Sequence, residues 1–186
     1  MRTRLAVSML AIALFTRQAD AQLVTNGDFE SGNFIGWTLT GSDCSTGVVT
    51  GTAAHAGTYG LRSGPVAGTC AVSQTFATTA GQQYTFSFWL SNIFGGSPNS
   101  FDALWNGATV YSLSNAPTFN YTQQAFTETA TGPTTTISFV VRHDPDYFRL
   151  DDVVVTATST VPEPSTYALM AVGLAGLFVA RRRRRV

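Results

Sequence analysis

Lysine is absent from this chain, so all eleven of its basic residues are arginine. Arg181 to Arg185 are consecutive and Arg2, Arg4 and Arg17 lie near the start, which leaves only Arg62, Arg142 and Arg149 between Gln22 and Thr160. Nine acids share that stretch, giving it a net charge of −6 although the whole chain is formally neutral. Such a surface excludes nucleic acid and anionic lipid as principal partners, because both are bound by an excess of cations.

Histidine and cysteine are nearly as scarce. With only His55 and His143 and no Gly-x-Ser-x-Gly sequence, a hydrolase triad lacks its parts. The expectation is a protein that is not an enzyme. The one remaining catalytic reading is a carboxylate pair acting on a glycosidic bond, for which the acidic turn Asp144-Pro145-Asp146 offers the residues. Cys44 and Cys70 are the sole cysteines, and in an exported chain they are expected to form a disulfide. Neither CxxC spacing nor a nearby histidine pair supports the alternative, a metal pair.

Export is written at the N-terminus. Arg2 and Arg4 precede the apolar run Leu5 to Phe15, and Ala19-Asp20-Ala21 has the small-x-small pattern of a signal-peptidase site. Residues 1–21 therefore read as a signal peptide and residues 22–157 as a single folded domain. A linker with Pro162, Glu163 and Pro164 occupies 158–166, an uncharged segment 167–180, and a basic tail 181–186. At about 1.5 Å per helical residue the uncharged segment extends roughly 20 Å, short of a hydrocarbon core of roughly 30 Å. Arginine stems that reach out to the headgroups complete it as a transmembrane helix, with the tail held in the cytoplasm.

Val161-Pro162-Glu163-Pro164-Ser165-Thr166, the apolar segment and the arginine cluster together resemble the PEP-CTERM sorting signal of exported bacterial proteins. The resemblance implies recognition by exosortase and processing near Pro162-Glu163-Pro164. An inner-membrane-anchored intermediate would then be delivered to the cell surface or extracellular matrix.

Serine, threonine and glycine dominate the domain, and apolar residues alternate in short runs between turn residues, which predicts an all-β fold. Leu23 to Glu30 reads as the first strand, with short strands near Gly47 to Thr50, Tyr59 to Arg62 and Ala71 to Phe76. The clearest alternation runs from Gln82 to Asn92, where Tyr84, Phe86, Phe88 and Leu90 share one face and Trp89 lies on the other. Asn106-Gly107 predicts a tight hairpin, and Tyr121 to Ala130, Thr134 to Arg142 and Tyr147 to Thr156 supply three more strands. About ten strands without an internal repeat suggest a two-sheet jelly-roll sandwich. Asn26-Gly27-Asp28-Phe29-Glu30 with Gly36-Trp37, His55-Ala56-Gly57-Thr58-Tyr59-Gly60-Leu61, and Leu150-Asp151-Asp152-Val153 resemble carbohydrate-binding modules with a galactose-binding-like jelly roll.

Two candidate sites follow. An extended first strand places Asp28 and Glu30 on one face, and a jelly roll brings the last strand near it with Asp151 and Asp152. Carboxylates so clustered call for a cation, and oxygen-only ligation suits Ca²⁺. The resemblance implies a structural calcium there, with Glu30 and Asp151 as first ligands and carbonyls near Gly57. Acids that cap turns and face solvent are the competing reading. Sugar binding needs aromatic rings and hydrogen-bonding groups, and Trp89 is the first candidate, with Trp105 and Tyr111 beside the hairpin second. Trp89 packed under a loop is the competing reading here. The function expected is a non-catalytic surface or matrix protein whose sandwich binds exopolysaccharide; a structural coat component without a small ligand is the alternative.

Overall fold

A computed structural model describes residues 21–45, 47–144, 146–158, 172–176 and 181. The signal peptide, the Pro162-Glu163-Pro164 motif and most of the expected transmembrane segment and basic tail lie outside these residues. Residues 172–176 are helical, and among the described residues no helix is long and apolar enough to cross a membrane.

Ten strands form the domain: β1 Thr38–Gly41, β2 Val48–Thr50, β3 Gly60–Ser63, β4 Cys70–Ala77, β5 Gln83–Asn92, β6 Asn99–Trp105, β7 Ala108–Ser114, β8 Phe119–Thr129, β9 Thr134–His143 and β10 Phe148–Ala157. They divide into two five-stranded sheets, sheet I in the order β1-β4-β9-β6-β7 and sheet II in the order β2-β3-β10-β5-β8. Every recorded strand pair is antiparallel. Alternation decides which side chains lie between the sheets. From β5, Tyr84, Phe86, Phe88 and Leu90 are buried, and they meet Phe101 and Phe139 from sheet I, with Phe88 and Phe139 ring centroids 5.1 Å apart. Burying each such ring contributes about 1.5–3 kcal/mol. The expected hairpin joins β6 to β7, and its turn uses the left-handed conformation at Asn106 (φ 48°) and Gly107 (φ 81°).

The first expected strand does not form. Asn26 (φ 52°) and Phe29 (φ 54°) both adopt left-handed backbone, which turns the chain instead of extending it. Asn26 drives this locally: its Oδ1 accepts from the Ser31 amide, and its Nδ2 donates to the carbonyls of Asn33 and Ile35. Phe29 is thereby buried against Trp37, ring centroids 5.5 Å apart. Residues 22–27 still run along β10, where the Leu23 amide donates to the Val155 carbonyl and the Val153 amide to the Gly27 carbonyl. β10 carries an irregularity between Asp151 and Val154, with Asp152 at φ 49°, and this places two consecutive aspartates near one face. The expected disulfide links Cys44 to Cys70.

Candidate functional site

The outer face of sheet I carries many hydroxyls, with Ala71, Val140 and Asp102 in a row between them. Across it the register sets Thr38, Ser73, Ser138, Leu104 and Thr109 in one row and Arg142, Ser100 and Ser114 in another, with Thr75 opposite Thr136. All are half-buried or exposed, and none is aromatic. The Thr75 and Thr136 hydroxyls lie 2.7 Å apart. Arg142 pairs with Asp144 at 2.9 Å, which holds that carboxyl below its ordinary range.

Sheet II is covered differently. The segment from the 3-10 turn Gly51–Ala53 to Tyr59 crosses its outer face as a strap. The Tyr121 hydroxyl on edge strand β8 donates to the Ala53 carbonyl at 2.6 Å, and the amides of His55 (2.7 Å) and Ala56 (3.3 Å) donate to Asp151 Oδ2. The His55 ring stacks on Trp89 with centroids 3.9 Å apart and planes 15° from parallel, while its Nδ1 lies 2.7 Å from Asp152 Oδ2. Asp151 is fully buried under the strap, and burial pushes its carboxyl up to about 6. Glu30 approaches the same strap from the other side, accepting the amides of Thr58 and Tyr59 at 2.7 Å each, and these bonds hold its carboxyl below its ordinary range. Gly57 is left-handed (φ 66°), and a Cβ there would collide with the Glu30 carboxylate.

The four acids named from sequence therefore do not form one cluster. Asp28 is exposed and accepts the Glu30 amide, and Asp152 turns to His55, because the turn at Asn26 and the irregularity in β10 replace two regular strand faces. Among the described residues no group of three or more His, Cys, Asp or Glu side chains is placed to hold a metal ion. Glu30 and Asp151 do share a feature, since both grip residues 55–59. The secondary aromatic candidates are corrected by register. Trp105 is 4% exposed between the sheets against Phe76, Tyr84 and Phe86. Tyr111, opposite Ala103, packs inward on Phe88, Phe101 and Phe126. Trp89 lies outside the core as expected, half-buried, with one ring face taken by His55.

His143 is fully buried behind the acidic turn. Its Nδ1 accepts from the Asp146 amide at 3.2 Å, so Nε2 carries the proton and donates to Asn92 Oδ1 at 3.0 Å. Burial depresses its basicity, and both ring nitrogens serve structure. Phe94, 64% exposed, and Val66, 58% exposed, are the pronounced apolar exposures among the described loops beside this turn, which bonds to Pro65 and Pro98. Sequence patterning passed over both, as they lie outside every alternating run.

The same fold occurs in solved carbohydrate-binding modules. The module TmCBM61 in complex with β-1,4-galactotriose superposes with a TM-score of 0.62 at 18% identity, over 74% of this chain and 99% of that one. The xylan-binding domain from CBM 22 gives 0.56 at 18% identity, over 77% and 99%. The CBM22-1 xylan-binding domain from Paenibacillus barcinonensis gives 0.53 at 14% identity, over 78% and 100%. No curated protein matches the chain. Residues 160–185 match the PEP-CTERM protein-sorting motif, which marks an exported, surface-directed protein. Residues 21–160, the whole sandwich, match the profile described as carbohydrate binding domain, and to that family this chain belongs.

Proposed function

We propose that this is a non-catalytic surface protein, sorted by exosortase, whose sandwich holds exopolysaccharide along the outer face of sheet I. The observation that carries the reading is the set of open serine and threonine hydroxyls, Thr38, Ser73, Ser138 and Thr109 in one row and Ser100 and Ser114 in another. Four strand spacings make a face about 19 Å across. Each sugar hydroxyl bound there exchanges a water partner for a protein one and contributes about 0.5–1.5 kcal/mol. Without an aromatic platform the affinity per site is modest, which suits a protein displayed in many copies on a polymer.

Calcium belongs to the same proposal. Glu30 and Asp151 offer oxygen donors on either side of the strap, and Asp151 is a fully buried carboxylate that no arginine pairs. That donor set fits Ca²⁺. Glu30, Asp151 and main-chain carbonyls around Gly57 would hold the ion, which supplies rigidity to the strap rather than reaction chemistry.

The galactotriose and xylan named for the structural neighbours set the first probes. In affinity gels containing galactan or xylan, the full chain in detergent should be retarded. Ser138→Glu on central strand β9 should abolish the retardation, whereas Trp89→Ala on the opposite face should not. Loss on Trp89→Ala would move the sugar to sheet II, and no retardation by any polysaccharide would overturn the reading. The lack of an aromatic ring among the outward residues of sheet I favours, as a second reading, a structural matrix component; self-association without glycan binding is its signature.

A further inference from the structure

We propose that Arg62 and Arg149, adjacent on the outer face of sheet II, form a site for the oxyanion of an acidic sugar, a uronate carboxylate or a sulfate ester. The two are direct register partners on β3 and β10. Their neighbours Leu61 and Leu150 are paired and buried between the sheets, so alternation turns both arginines outward. The row continues through Val48 on one side and Ser91 on the other.

Charge makes this row unusual. Like charges directly opposed across two strands are destabilising, and the domain has only three arginines but nine acids with which to pair them. Arg142 takes Asp144, while among the described residues neither Arg62 nor Arg149 has a carboxylate within ion-pair distance. Asp151, two residues from Arg149 on the same face, is turned to the His55 and Ala56 amides. A buried polar atom on the row also lacks a partner, Nε of Arg62. Tyr147 then fixes the geometry, its ring centroid 4.7 Å from Arg62 Cζ. That contact holds the guanidinium by its π attraction to the ring, which uses none of its N–H donors. A planar oxyanion seated between the two forks would receive parallel hydrogen bonds and remove their mutual repulsion. The net charge of −6 repels acidic polymers elsewhere on the surface, which restricts their binding to a built site.

The inference rests on the carbohydrate reading for the polymer that presents the charge. Its test is calorimetric titration of the full chain in detergent with polygalacturonate, its methyl ester, dextran sulfate and neutral galactan. The acid form should bind at least tenfold more tightly than the ester, and Arg62→Gln or Arg149→Gln should each weaken it about tenfold while leaving galactan binding unchanged. Preference for dextran sulfate over polygalacturonate would identify the sulfate ester as the group recognised. Equal binding of acid and ester, or indifference to Arg149→Gln, overturns the site while the carbohydrate reading stands; failure of every polymer, neutral and acidic, overturns both. Should the glutamine variants fail to fold, the acid-against-ester comparison on the unaltered protein decides.

Discussion

At Asp151 a carboxylate is shut from water beneath a strap whose two amides it holds, and its neighbour Asp152 repels it further. Its folded value of about 6 lies above the unfolded one, so the folded state holds this proton more tightly. In chelator-treated protein the associated stability is fully present below about pH 4 and is lost as pH rises through 6. The two pKa units involved bound the effect at about 3 kcal/mol. Melting curves between pH 4 and pH 7 should show that decline, and Asp151→Asn should flatten it. Calcium at millimolar concentration should raise the midpoint at pH 7 and do little at pH 4, where protons occupy the carboxylate. An unchanged midpoint at pH 7 would remove the ion from Glu30 and Asp151.

Among the elements, β1 is the least secured: four residues at the edge of sheet I, paired only with β4. The Cys44–Cys70 bridge closes it, because Cys70 is the register partner of Gly41 at the end of β1. With a sequence separation of 26, loss of the bridge in Cys44→Ser/Cys70→Ser should lower stability by about 3 kcal/mol. Amide exchange should accelerate first at Thr38 to Gly41; a loss below 1 kcal/mol with β1 still protected would contradict this. The long strands were legible in sequence because alternation is imposed by a two-sided core, and β5 follows Tyr84, Phe86, Phe88 and Leu90 as read. Leu23 to Glu30 misled because Asn26 offers the backbone a local partner that outcompetes the ladder. The strap has no periodicity to read, so the stacking of His55 on Trp89 was hidden. Glu30 and Asp151 were recognisable as residues, but their shared hold on residues 55–59 depends on turns that composition does not encode. Nor does sequence spacing reveal that Arg62 and Arg149, far apart in the chain, stand opposite each other.

For the whole molecule, the sorting motif and the sandwich divide the work between address and cargo. If exosortase processes the tail, mass spectrometry of surface protein from the native host should find Arg181 to Arg185 missing; a retained tail would make the segment a permanent anchor. In either case, a pull applied at the C-terminal end would reach the domain through the chain that follows Thr158. That chain continues β10, which lies in the middle of sheet II with β3 and β5 on either side and residues 22–27 bonded along its second half. Such a pull would load the antiparallel ladders to β3 and β5 in shear at once, rather than unzip an edge bond by bond. The tail thus leaves the domain from the central strand of sheet II, a mounting that would suit the surface role proposed above.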